Sequence, residues 1–302
     1  MRAWIGLGLS LAIAGAAGAW ILSAPRPAFS EDQAASLEGG DPARGRLVFA
    51  AGDCASCHAS PGQADRLRLG GGQALASPFG TFRPPNISPD PVDGIGRWRG
   101  IDLANALLSG VSPGGQHYYP ALPYPSYARM DAADLRDLMA YLRSLPAVSG
   151  RPPPHDLPFP FTIRRGIGLW KRLFLDRAPI VPDPSRSEAW NRGRYLVEAV
   201  AHCAECHSGR NLAYAVKASR KFAGGPNPEG IGFAPNLAPE GRGRYSEDEL
   251  VRLLTTGETR AFRFVGATMA DVVTNTATLP ESDRRAIAIY VTSLPPRPTA
   301  TP

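Results

Sequence analysis

All four cysteines of this chain fall in two clusters, "CASCH" from Cys54 to His58 and "CAECH" from Cys203 to His207. This pattern constrains the chain more than any other, because it leaves no thiol for a long-range disulfide. A zinc ribbon places its CxxC pairs about 15–20 residues apart, and these two lie in opposite halves of the chain. A thioredoxin-type pair requires βαβ patterning nearby, which is absent. The chemistry that remains is covalent haem attachment: thiols at i and i+3 bond the two vinyl groups, and the histidine that follows ligates iron.

The clusters sit in a longer repeat. "RGRLVFAAGDCASCH" (Arg44 to His58) matches "RGRYLVEAVAHCAECH" (Arg192 to His207), and "RPPNISPD" (Arg83 to Asp90) matches "FAPNLAPE" (Phe233 to Glu240). "DLRDLMAYLRSLPAV" matches "DRRAIAIYVTSLPPR", pairing Tyr141 with Tyr290. A nearly constant offset over three separated blocks means two copies of one domain. Each copy reads as a short helix into CxxCH, a Gly/Pro-rich loop, a middle helix and a last helix. In the first copy Leu135, Leu138, Leu142 and Leu145 make one stripe of the last helix. In the second, Ser246 and Glu249 are spaced as a capping box. Strand-like alternation is nearly absent, so the class is mainly α.

We divide the chain into an N-terminal segment 1–25, a first domain 38–150, a linker 151–185 and a second domain 186–297. The linker is Pro-rich, and "FTIRRGIGLWKRLFL" within it predicts a helix laying Ile163, Ile167, Trp170 and Phe174 against both domains. The N-terminal segment is uncharged from Ala3 to Ala24. About 20 helical residues at about 1.5 Å each span a bilayer core of about 30 Å, and Trp4 and Trp20 lie near its ends, so a retained transmembrane helix is expected over a cleaved signal peptide. Either reading exports the domains.

The formal charge is +6, but the cations are scattered, apart from "RRGIGLWKR", and no basic helix is interleaved with stacking aromatics. Nucleic acid binding is not expected.

Sixth ligands are sought among few methionines. Beyond Met1 these are Met130, Met139 and Met269. Met269 precedes the last helix of the second copy and is assigned as its ligand. Met139 lies inside a helix and is assigned to the core. Met130 precedes the last helix of the first copy, and His117 competes with it as a bis-histidine alternative. Leu122 cannot ligate, and His155 and His202 lack a partner pattern. Trp98 is a candidate donor to a haem propionate, and Asn86 in "NIS" also matches a glycosylation sequon.

"GGQALASPFGTFRPPNISPD", "GIGRW", "YYPALPYPSYARM" and "HCAECHSGRN" resemble the cytochrome c subunits of periplasmic membrane-bound dehydrogenases of the alcohol and gluconate types. The resemblance covers nearly all of residues 40–297. It implies tandem class I cytochrome c domains and two covalently attached haem c groups held by Cys54, Cys57, Cys203 and Cys206. The iron ligands it implies are His58, Met130, His207 and Met269. Some relatives carry methionine where this chain has Leu122; others carry it later, which points to Met130. The resemblance also implies that the carbonyls of Pro85 and Pro235, ahead of Asn86 and Asn236, bond the other nitrogen of each proximal histidine. Many relatives carry three haems, and this chain has two motifs.

The expected function is electron transfer from a periplasmic dehydrogenase partner to a respiratory acceptor, on the periplasmic side of the cytoplasmic membrane. The alternative is a dihaem oxidoreductase of the thiosulfate dehydrogenase or peroxidase kind, with the first haem catalytic.

Overall fold

In the computed structural model the described residues are 2–228, 232–239 and 244–299. Glu240 of the matched block lies outside them. After α1 (Arg2–Leu22) and a 3₁₀ turn, the first domain contains α2 (Pro42–Ala51), α3 (Cys54–His58), the hairpin β1 (Leu75–Ser77) and β2 (Gly80–Phe82), α4 (Gly100–Ser109), α5 (Tyr124–Tyr127) and α6 (Ala132–Ser144). The linker contributes α7 (Arg165–Phe174). The second domain repeats the order with α8 (Glu188–Tyr195), α9 (Cys203–Cys206), β3 (Gly225–Pro226), β4 (Phe233–Ala234), α10 (Glu247–Thr256), α11 (Thr268–Thr276) and α12 (Glu281–Thr292).

Each domain is organised by the crossing of its first and last helices, α2 on α6 and α8 on α12. The crossing is close because each entering helix carries a glycine at the contact. A Cβ on Gly45 would overlap the Asp137 carbonyl, and one on Gly193 the Ala286 carbonyl. A paired ion locks each crossing: Arg44 Nε reaches Asp137 Oδ2 at 2.7 Å, and Arg192 Nη2 reaches Asp283 Oδ2 at 2.9 Å. Leu135, Leu138 and Leu142 are buried, as their stripe predicts.

The second copy has one more residue than the first between its leading arginine and its first cysteine. The fold absorbs it as a single π turn, Leu196–Val200, closed by the Ala201 amide on the Leu196 carbonyl at 2.7 Å. A π turn is the local form a one-residue insertion takes within a helix.

The linker joins both domains. Trp170 Nε1 donates to the Ala213 carbonyl of the second domain at 2.8 Å. Lys171 Nζ donates to the Ser109 and Gly110 carbonyls of the first at 2.7 and 2.6 Å. Phe79 stacks edge-on with both Phe161 and Tyr214, which extends the same join. Ile163 departs from the expectation: it precedes α7 and is exposed.

The N-terminal expectation also needs correction. Among the described residues no helix is long and apolar enough to cross a membrane. A transmembrane helix is therefore not supported. The end of α1 instead rests on the linker, with the Arg165 guanidinium 3.9 Å from the Trp20 ring centre and Arg172 Nε donating to the Leu22 carbonyl at 3.0 Å.

Candidate haem sites

The two attachment turns are built alike. The residue before each CxxCH is left-handed, Asp53 at φ 55° and His202 at φ 40°. Non-glycine residues seldom adopt this conformation, although Asp and His are among the more tolerant. It swings the chain out of the preceding helix into a new short helix, where cysteines at i and i+3 share a face. None of the four cysteines is in a disulfide, and burial pushes the Cys54 and Cys203 thiols up to about 12. That is the reverse of what thiolate redox chemistry or a zinc site requires. Among the described residues no three His, Cys, Asp or Glu side chains cluster to hold a metal ion.

Each motif histidine is oriented from behind. His58 Nδ1 lies 2.8 Å from the Pro85 carbonyl and His207 Nδ1 lies 2.7 Å from the Pro235 carbonyl. A carbonyl only accepts, so Nδ1 carries the proton and the Nε2 lone pair is left to bind iron. Burial lowers both imidazoles from their ordinary value, which keeps them neutral. The bracing loop is pinned in turn. Gly71 N donates to the His58 carbonyl at 2.8 Å and Gly224 N to the His207 carbonyl at 3.0 Å. Asn86 Nδ2 donates to the Val148 carbonyl at 2.6 Å, and its Oδ1 accepts from Ser88 N at 2.9 Å. Asn236 repeats this with the Arg297 carbonyl and Ala238 N. Asn86 is buried, so the sequon is an internal staple. The residues present thus fit a covalently held haem in each domain.

The remaining candidates separate clearly. His117 is buried with both ring nitrogens engaged, Nε2 at 2.8 Å from the Ser23 carbonyl and Nδ1 at 3.1 Å from Lys171 Nζ. It belongs to the packing of the linker on the first domain and has no nitrogen for iron. His155 Nδ1 accepts from Arg83 N at 3.1 Å. Met139 is buried in α6, and Trp98 is half-buried against the same core.

A matched pair of hairpins relates the methionines. Val111 bridges His117 and Glu258 bridges Phe264, each six residues on, after glycines at φ 57° and 77°. Counting onward, Leu122 falls at the position of Met269, which lies in the first turn of α11. Counting back from the last helices, buried Met130 falls at the position of buried Leu279. Sequence reasoning had no register to compare these positions, because the intervening lengths differ.

It also missed the interface. Tyr127 Oη donates to the Gly52 carbonyl at 2.7 Å, while its ring stands 5.8 Å from that of His202. Glu198, on the π turn, accepts from Tyr290 Oη at 2.6 Å and pairs with Lys221 and with Arg129 of the first domain.

Two carbonyl-braced histidines, each behind a paired-thiol turn in a small helical domain, define a c-type cytochrome with duplicated attachment sites. The cytochrome c family matches residues 42–146. The chain is 46% identical over 299 residues to a protein described as a diheme cytochrome c-type from Cereibacter sphaeroides, covering 98% of this chain and 99% of that one. It is 37% identical over 257 residues to the fructose dehydrogenase cytochrome subunit of Gluconobacter japonicus, covering 83% of this chain and 52% of that one. It is 34% identical over 263 residues to the gluconate 2-dehydrogenase cytochrome c subunit of Pantoea cypripedii, covering 83% and 59%. The chain therefore spans nearly all of the first relative and between half and three-fifths of the other two. It belongs to the cytochrome c family and carries covalently bound haem c.

Proposed function

We propose that this chain is a dihaem electron carrier that takes electrons from a dehydrogenase partner and passes them to a respiratory acceptor in the periplasm. The observation that carries this reading is the pair of histidines with Nδ1 tied to a proline carbonyl, at 2.8 and 2.7 Å. Such a histidine is held in one orientation through a change of oxidation state, which is what a relay requires. Haem, when bound, supplies the one-electron couple. Cys54, Cys57, Cys203 and Cys206 would hold it covalently, and His58 and His207 would offer Nε2 to the iron. Met269 in the second domain and Met130 in the first would supply the thioethers that raise the potential and close the site to substrate. The cytochrome subunits of fructose and gluconate dehydrogenases among the relatives support a dehydrogenase donor. We place the domains in the periplasm, reading the apolar N-terminal segment as the export element.

One observation favours the oxidoreductase alternative: Leu122 occupies the register position that Met269 holds in the second domain. Purified full-length holoprotein decides between them. The relay reading expects two haems per chain by alkaline pyridine assay, no prompt cyanide binding by either ferric haem, and no turnover of peroxide or thiosulfate. Turnover of either compound, abolished by His58→Ala, would establish the first domain as an enzyme site.

A further inference from the structure

The domain boundary carries a reciprocal arrangement. α11 of the second domain, with Met269 in its first turn, packs against α2 and α3 of the first domain. α5 of the first domain, which leads to Met130, packs against the π turn that feeds the second attachment helix. Each domain's distal segment therefore leans on the other domain's attachment turn.

The contacts on the first turn are specific. Asn275, buried on α11, donates through Nδ2 to Ser56 Oγ at 3.0 Å and to the Asp53 carboxylate. Ser56 Oγ also donates to Asp53 Oδ1 at 2.5 Å. Arg66 joins the group, with Nη2 on Ser56 Oγ at 3.2 Å and Nη1 on Asp271 of α11 at 2.9 Å. Asp53 immediately precedes Cys54, and Ser56 lies between the two thiols. The counterpart on the second turn is lighter: Ser126 Oγ to Glu205 Oε1 at 3.3 Å, and Tyr127 edge-on to His202.

We infer that Asn275 is a positioning residue for the first haem, acting from the second domain, so that the Met269 helix and the first attachment turn behave as one mechanical unit. Asp53 holds a left-handed conformation directly beside a haem-bearing cysteine, and burial raises its carboxyl from the ordinary value. A carboxyl in such a setting is kept in place by its donors, here Ser56 and Asn275. Removing the amide frees the carboxyl to reorient and relaxes the turn, which alters both the polar surroundings of the first haem and the set of its ring. The inference rests on the two-haem reading above; a preparation with one haem per chain would remove that reading before this question arises.

The test uses full-length holoprotein carrying Asn275→Leu, which keeps the volume and removes the donors. Haem-methyl resonances of the ferric protein are assigned to each site through their contacts with Cys57 and Cys206, and each haem is titrated electrochemically. The expected result is movement of the first-site resonances together with a tenfold change in that haem's oxidation equilibrium, about 59 mV for a one-electron couple. First-site resonances and potential that stay at wild-type values, whatever the second site does, overturn the inference. Should Asn275→Leu fail to fold, Asp271→Asn, which weakens only the half-exposed pair with Arg66, is read in the same way for a smaller first-site shift.

Discussion

Leu122 and Met269 stand at one register position in two copies of the same hairpin. Tyr118 N bonds the Gly110 carbonyl at 2.8 Å and Val265 N bonds the Gly257 carbonyl at 2.9 Å, and each of the two residues lies four positions further on. The duplicated fold has thus diverged at this position, with leucine where its twin has a thioether.

The first prediction concerns that difference. In the ferric protein, Met269→Leu is expected to remove one methionine–iron charge-transfer band and Met130→Leu the other, each about half the intensity. Adding Leu122→Met to Met130→Leu should restore the lost half, since it recreates the ligand geometry of the second domain. Absorption that is indifferent to Met130→Leu would show that this methionine is a core residue like Leu279.

The loop behind the first histidine should be sensitive to its staple. Asn86→Ala leaves the buried Ser88 amide without its acceptor and takes a donor from the Val148 and Gly150 carbonyls, at a cost of about 1–3 kcal/mol. Denaturant unfolding of the holoprotein measures this, and a midpoint unchanged from wild type would contradict it.

Acid stability should depend on the α2–α6 crossing. The Asp137 carboxyl is held below the ordinary carboxylate range, first by its hydrogen bond from Arg44 and further by the Asp41 amide. A carboxylate with a depressed folded-state pKa contributes stability that is present above the unfolded value, about 3.9, and is lost as pH falls through the lower folded value. Asp137→Asn should therefore destabilise at pH 7 and converge with wild type below about pH 4. Melting curves across that range provide the check, and a difference that persists at pH 2 would exclude the ion pair as its source.

His117→Phe installs the residue that the second domain carries at the equivalent Phe264. Because both ring nitrogens of His117 bond the chain itself, the visible spectrum should be unchanged, while the Ser23 carbonyl and Lys171 each lose a partner and stability falls by about 1–3 kcal/mol. A changed first-site spectrum would return His117 to consideration as a ligand.

The attachment chemistry was legible in the chain because it is local: thiols at i and i+3 with the histidine adjacent need only one turn of helix to converge. The Pro85–Asn86 and Pro235–Asn236 pairs were legible through the repeat and the family resemblance. The π turn was foreshadowed by one extra residue, though nothing in the letters says whether a helix or a loop absorbs it. The fate of Ile163, and the absence of a qualifying membrane span among the described residues, were not legible. An apolar run records what a segment could bury and leaves open what it meets.

The sequence by itself determined two haem-attachment motifs in two mainly helical copies of one domain, since each of those features depends on neighbours within a few residues or on self-similarity. Only the tertiary structure decided that His117 is spent on Ser23 and Lys171, that Leu122 matches Met269, and that Asn275 reaches the first attachment turn from the other domain. Those relationships join residues far apart in the chain, and they exist only once helix crossings and the linker have set the two domains against each other.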